Sequence, residues 1–210
     1  MTEIRPFTID VPQAAIDDLH ARIRAARWPD KEQVDNWDQG IPLAVVQDFA
    51  TYWAKQYDWR ACEAALNAHP NFLIELDGLD IHFLHIRSRH EGARPLIMTH
   101  GWPGSVLEFM GVIEPLTNPA DPADAFHLVI PSLPGFGFSG KPSETGWSIT
   151  KIATAWNDLM LALGYERYFA QGGDWGSGVT LEIARQNLGA CAAVHSTWCW
   201  RCPILRPWAT

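Results

Sequence analysis

The sequence predicts an α/β fold, an incomplete and mostly parallel sheet with flanking helices, preceded by an N-terminal helical meander. Three observations predict it. Helical periods of apolar residues fill the first 70 residues. From residue 71 onward, short β-rich runs alternate with helical periods, the pattern of βα units. Late in the chain the run Gly172-Gly173-Asp174-Trp175-Gly176-Ser177 has the form of a strand-to-helix elbow, in which small residues let a sharp turn expose one side chain.

The elements follow in order. Ile16, Leu19 and Ile23 give a helix over Pro12 to Arg27, with proline in its first turn and Trp28-Pro29 as its stop. Val46, Phe49 and Trp53 give a second over Pro42 to Lys55, and a third covers Arg60 to Asn67. The polar stretch Asp30 to Gly40 between the first two reads as a surface loop pinned by the Trp37 ring. Phe72 to Leu76 and Leu79 to His85 are strands joined through Asp77-Gly78, the dipeptide of a type I′ hairpin.

Beyond the hairpin, Pro95 to Thr99 is a buried strand followed by a helix over Val106 to Leu116. Phe126 to Ile130 is the next strand, leading into the Pro/Gly loop Pro131 to Pro142. Ser148 caps a helix over Ile149 to Leu163, which Gly164 ends. Arg167 to Gln171 feeds the elbow, a helix spans Ser177 to Arg185, and Ala192 to Val194 is a further strand. In sheets of this kind ligands sit at the C-terminal ends of the strands. The domain expectation is a helical meander over residues 1–70, an incomplete core over 71–195 and an aberrant tail over 196–210.

Composition narrows the function classes. The 210 residues are 47% hydrophobic and 19% charged, an ordinary globular balance. A net charge of −8 without a Lys/Arg cluster argues against nucleic acid or an anionic membrane surface as partner. No apolar run approaches the roughly 20 residues of a membrane span, and Met1 to Pro6 has no signal-peptide core, so a cytosolic location is expected. The cysteines at 62, 191, 199 and 202 are too few and too uneven for a disulfide framework, and Cys199-Trp200-Arg201-Cys202 lacks the context of a redox or zinc motif. No metal or cofactor is expected.

The chemistry centres on Asp174. Serine at an elbow needs a base to become a nucleophile, whereas a carboxylate is already ionised near neutral pH and can attack an electrophilic sp3 carbon directly. Epoxides and alkyl halides are such electrophiles. The competing reading is that Asp174 only N-caps the following helix. A second motif, His100-Gly101-Trp102-Pro103-Gly104-Ser105, ends the Pro95 strand where elbow enzymes place the other half of an oxyanion hole, so the N–H groups of Trp102 and Trp175 can converge on one oxygen. His100 reads as a buried imidazole bonded to backbone in preference to a proton-transfer group, because its place in a glycine-proline turn suits orientation better than chemistry. The Trp175 ring is either core or a wall of the pocket.

Three weaker patterns are set aside. Ser148-Ile149-Thr150-Lys151 matches S-x-x-K but reads as a helix cap. His82 and His85 fall on opposite faces of one strand and cannot share a metal without a bulge. The third is the Cys199–Cys202 pair, with neither a thioredoxin-like helix after it nor a second ligand pair.

The chain resembles the microsomal-type epoxide hydrolases of the α/β-hydrolase superfamily, including the segment that precedes the hydrolase core. The resemblance runs through Val11-Pro12, Asp17-Asp18-Leu19, Arg27-Trp28-Pro29, Tyr52-Trp53, Tyr57-Asp58-Trp59-Arg60, Asp77-Gly78-Leu79, Ile81-His82-Phe83, the His100 to Ser105 turn, Pro134 to Ser139 and the elbow. It implies an α/β-hydrolase core, Asp174 as nucleophile, and Trp102 and Trp175 as oxyanion-hole donors. It also implies supporting roles for His100, Gly101, Pro103, Gly172, Gly173 and Gly176, and it allows a cis Trp102–Pro103 peptide. The implied reaction is a small apolar epoxide plus water to a vicinal diol, without cofactor.

The resemblance also implies a histidine that activates water, an acid that orients it and tyrosines that protonate the opening epoxide. In the order nucleophile, acid, histidine these follow Asp174, and His195, on the very next strand, comes too early. The tail from Ser196 loses both periods and gathers Trp, Cys and Arg, so it reads as out of frame, with a C-terminal truncation, an exposed apolar sheet edge and aggregation as the expectation. Two other functions stay open: a haloalkane dehalogenase, which also uses aspartate followed by tryptophan, and a non-catalytic remnant.

Overall fold

The computed structural model describes residues 3–198. The chain divides into two compact units, one of residues 9–68 and one of residues 1–8 with 69–210.

The first unit is helical: α1 (Gln13–Arg24), α2 (Leu43–Lys55) and α3 (Trp59–Asn67). Its polar side chains tie the chain to itself. Asp58 caps α3 by accepting from the Ala61 N–H at 3.2 Å. Glu63 accepts from the Val11 N–H at 2.7 Å, and Asn67 bonds both the N–H and the carbonyl of Ile9. An apolar cleft of about 580 Å³ remains, lined by Ile16, Leu19, Phe49, Trp53 and Trp59 among others. The Trp37 ring is 62% exposed and pins nothing, a correction to the sequence reading. Its neighbours in the loop are polar, so there is no apolar surface for it to cover.

The second unit carries a seven-stranded sheet: β1 (Ile4–Phe7), β2 (Asn71–Leu76), β3 (Leu79–Ile86), β4 (Arg94–Thr99), β5 (Phe126–Pro131), β6 (Tyr168–Gly172) and β7 (Cys191–Ser196), in the order β1-β2-β3-β5-β4-β6-β7. Strands β5, β4, β6 and β7 run parallel, and β1, β2 and β3 form an antiparallel arm on β5. Strand β1, inside the expected helical meander, was not foreseen, because four residues around a proline carry almost no period. Asp77 and Gly78 have φ of 50° and 76°, the two positive values that a type I′ turn requires.

The central strands β4 and β5 are buried over Leu96 to Thr99 and His127 to Pro131, the continuous apolar run of a strand covered on both faces. Helices α4 (Met110–Thr117), α5 (Ile149–Ala162) and α6 (Trp175–Gln186) flank the sheet. The expected helix over Val106 to Leu116 begins instead as a 3₁₀ turn at Val106–Phe109, and α6 begins two residues before its expected start. Trp156, Leu159, Tyr168, Phe83 and Ile97 form the centre of the core. Its polar atoms are paired: Trp156 Nε1 donates to Thr99 Oγ1 at 3.0 Å, and Tyr168 Oη to Asn157 Oδ1 at 3.2 Å. Ser148 caps α5 by accepting from the Lys151 N–H at 3.3 Å, which accounts for the S-x-x-K pattern.

Candidate active site

Strand β6 ends at Gly172 and α6 begins at Trp175, so only Gly173 and Asp174 turn the chain. Asp174 has φ 49° and ψ −124°, a conformation that costs a non-glycine residue about 1–3 kcal/mol. What fixes it is close packing of backbone on backbone. A Cβ on Gly172 would collide with the Gly176 carbonyl, and one on Gly176 with the Thr99 carbonyl at the end of β4. The Ser177 N–H donates to the carbonyls of Gly173 at 3.2 Å and Asp174 at 3.0 Å, and its hydroxyl donates to the Gly172 carbonyl at 3.0 Å. The Asp174 side chain makes no capping bond to α6, so the N-cap reading of this residue fails.

Its carboxylate turns instead to the end of β4. Asp174 Oδ1 accepts from the Trp102 N–H at 2.6 Å, the short distance of a charge-assisted bond. Gly101 makes room for this, since a Cβ there would lie 2.5 Å from Asp174 Cβ and Oδ1. The Trp102–Pro103 peptide is cis. Next in the chain, the Trp175 N–H belongs to the first turn of α6, where no intrahelical carbonyl satisfies it.

His100 is fully buried. Its Nε2 accepts from the Leu133 N–H at 3.1 Å, so the proton lies on Nδ1, which donates to the Gly101 carbonyl at 3.0 Å. Burial pushes its pKa below the ordinary imidazole value. Both nitrogens are occupied, and the ring holds the Gly101-Trp102 turn against the loop after β5.

That loop is held from beneath by a network that the sequence reading missed. His82 is fully buried, and burial pushes its pKa down to about 4. Asn71 Nδ2 donates to the His69 carbonyl at 2.8 Å, which orients its Oδ1 to accept from His82 Nε2 at 2.9 Å. His82 Nδ1 then accepts from the Ser132 hydroxyl at 2.9 Å, while Ser139 Oγ donates to the Ser132 carbonyl and accepts from the His82 N–H. The arrangement has the residue types of a catalytic triad, but Ser132 is fully buried and the network is a clamp. His85 faces the other side of the sheet, on Tyr165 Oη at 2.8 Å.

Between the elbow and the loop after β5 opens a cavity of about 660 Å³ with mostly apolar walls, among them Phe136, Trp147, Ile152 and the residues on either side of the Asp174 contact, Trp102 and Trp175. The Trp175 ring is therefore a wall and not core, 46% exposed. Trp147 was not singled out from the sequence, where its only signal is its place just before the Ser148 cap. His195, on β7, lines a different cavity with Leu96, Met98 and Phe169. Among the described residues no three His, Cys, Asp or Glu side chains are grouped to hold a metal. Strand β7 runs through Ser196, and the Thr197 N–H still bonds the Gly172 carbonyl, so the first residues of the expected aberrant tail continue the sheet. The Cys199–Cys202 pair and the rest of that tail lie outside the described residues.

Known proteins resemble this chain over most of its length. A protein of Stigmatella aurantiaca is 53% identical over 196 residues, covering 91% of this chain and 44% of that one. "Epoxide hydrolase 1" of Sus scrofa is 35% identical over 190 residues, 87% of this chain and 42% of that one. The crystal structure of juvenile hormone epoxide hydrolase from Bombyx mori superposes with a TM-score of 0.84 at 33% identity, over 93% of this chain and 53% of that one. The chain thus spans less than half the length of the curated relatives it matches. The family profile "Epoxide hydrolase N terminus" matches residues 4–109 and the profile "alpha/beta hydrolase fold" residues 94–197, and the chain belongs to the epoxide hydrolase family on an α/β-hydrolase fold.

Proposed function

We propose that this chain carries the nucleophile and the oxyanion hole of an enzyme that opens a small apolar epoxide. The observation that carries the reading is the pairing of a strained elbow aspartate with the Trp102 N–H, 2.6 Å from Oδ1, beside an apolar cavity. Oδ1 is already held by a donor, so Oδ2 attacks the epoxide carbon. A C–O bond forms to Oδ2, the ring C–O bond breaks, and the released alkoxide takes a proton. Water then adds to the ester carbonyl, the charge develops on Oδ1 between the Trp102 and Trp175 N–H groups, and collapse releases the diol and restores the carboxylate. A donor of this kind contributes about 2.7–4 kcal/mol to the transition state.

No cofactor enters these steps. Neither histidine near these strands is placed as the base for the water: His100 has both nitrogens bonded, and His195 lines another cavity. The similarity to "Epoxide hydrolase 1" of Sus scrofa supports an epoxide as the electrophile. No helix among the described residues is long and apolar enough to cross a membrane, and a cytosolic setting belongs to the same proposal. A haloalkane dehalogenase is the second reading, favoured only by the aspartate followed by tryptophan at the elbow.

Incubation with styrene oxide, read by intact mass and by diol formation, tests the proposal. Retained ester or released diol supports it, and Asp174→Asn should yield neither. Release of chloride from 1-chlorohexane, with no reaction on styrene oxide, would transfer the site to the second reading.

A further inference from the structure

We propose that Trp147 gives this site a preference for epoxides that carry an aryl group, and that Lys151, anchored on Asp77, positions the Trp147 ring. The inference rests on the proposed function, because it concerns the cavity beside Asp174.

Three tryptophans line that cavity, and two of them sit there for another reason. The Trp102 N–H bonds the carboxylate of the nucleophile, and Trp175 follows the nucleophile in the elbow. Trp147 has no such duty: it belongs to neither the elbow nor the β4 turn. Its backbone is set by the start of α5, where the Ser148 N–H donates to the Gly146 carbonyl at 2.7 Å and the Ser148 hydroxyl caps the helix.

Its ring packs at the margin of the hydrophobic core, and a charge fixes its orientation there. Lys151 Nζ lies 4.6 Å from the Trp147 ring centroid, within the range of a cation–π contact. The same ammonium lies 3.5 Å from Asp77 Oδ2, in the tight turn between β2 and β3. A hairpin turn whose shape the backbone dictates thus holds a lysine, and the lysine holds an indole at the cavity wall. An aryl ring entering the cavity meets an aromatic wall at Trp147 and Phe136, where offset or edge-to-face contact adds to simple burial. A short aliphatic epoxide has no group that uses it. Trp147 is therefore a specificity-determining residue that touches no reacting atom, and Lys151 a positioning residue.

Binding of two unreactive probes, 2-phenylethanol and 1-propanol, to the purified chain tests this by ligand-observed NMR. Trp147→Ala should weaken 2-phenylethanol about tenfold and leave 1-propanol unchanged. Lys151→Met should cost about threefold for the aryl probe, and Lys151→Arg should restore it, since guanidinium also stacks on an indole. If Trp147→Ala does not fold, Trp147→Phe and Trp147→Leu decide: the first keeps the aryl preference and the second loses it. An aryl affinity within twofold of the parent, or equal losses for both probes, would overturn the assignment. Formation of a hydroxylamine-labile ester by the parent chain with styrene oxide or 1,2-epoxypropane reports separately on the proposed function. If neither gives the ester, that reading falls, and the probe affinities still judge Trp147.

Discussion

The Trp102 N–H donates to Asp174 Oδ1 across 72 residues of sequence, at 2.6 Å. One bond joins the ends of β4 and β6 and leaves the other carboxylate oxygen for chemistry. It also separates what Asp174 does for folding from what it does for reaction. Asp174→Asn keeps an oxygen in the Oδ1 position, so unfolding stability should stay within about 0.5 kcal/mol of the parent. Hydroxylamine-labile alkylation by styrene oxide should disappear, while any thiol adducts remain. Chemical denaturation and intact mass check the two halves of the prediction.

Asp174→Gly and Asp174→Ala both remove the bond to the Trp102 N–H, so the difference between them reads the strain of the elbow. Glycine relieves the cost of φ 49°, about 1–3 kcal/mol, against about 0.5–1 kcal/mol for the extra freedom of unfolded glycine. Asp174→Gly should therefore be more stable than Asp174→Ala by about 1 kcal/mol, with no ester formed by either. A lower denaturation midpoint for Asp174→Gly than for Asp174→Ala would mean that the elbow is not strained.

Gly101→Ala tests the space beside the carboxylate. The new Cβ would lie 2.5 Å from Asp174 Cβ and Oδ1, and the nucleophile is the group that must move. Stability should drop by about 1–3 kcal/mol, and alkylation should fall by more than the stability loss explains. Gly176→Ala meets main chain, the Thr99 carbonyl, which cannot step aside. It should cost about 3 kcal/mol or more and is best read by the yield of folded protein.

The pH dependence follows from His82. Its pKa is about 4 in the folded chain, below the ordinary 6.5, because burial disfavours the imidazolium. The unfolded chain therefore binds the proton first, so stability is full above about pH 6.5 and is lost as pH falls towards 4. The loss from this residue is about 1.4 kcal/mol per pH unit within that window. His85, also pushed down to about 4, acts in the same direction. His82→Gln should be less stable at pH 7 and should show a visibly flatter slope between pH 6.5 and 4 in urea titrations.

Much of this was legible in the sequence because it was written in local signals. Periods of apolar residues located the helices, Asp77-Gly78 located the hairpin, and small residues around Asp174 and Trp102 located the two turns that meet. What stayed hidden depends on contacts distant in sequence. The His82–Ser132 bond spans 50 residues and involves residue types that usually face solvent. Strand β1 is defined by its partner β2, because Ile4 to Phe7 has no period of its own. Trp37 misled because a large ring in a polar loop suggests burial, and the loop offers it nothing to bury against. Trp147 looked like one of many tryptophans until the cavity drew it together with Trp102 and Trp175.

The most direct measurement is to locate the adduct. Free thiols at Cys62 and Cys191 also react with epoxides, so a mass increase alone does not name the nucleophile. Brief exposure to styrene oxide, followed by proteolysis and tandem mass spectrometry, should place the added group on Asp174 as an ester that hydroxylamine removes. Modification confined to cysteine, with Asp174 untouched in a folded chain, would contradict the assignment of this elbow as a nucleophile.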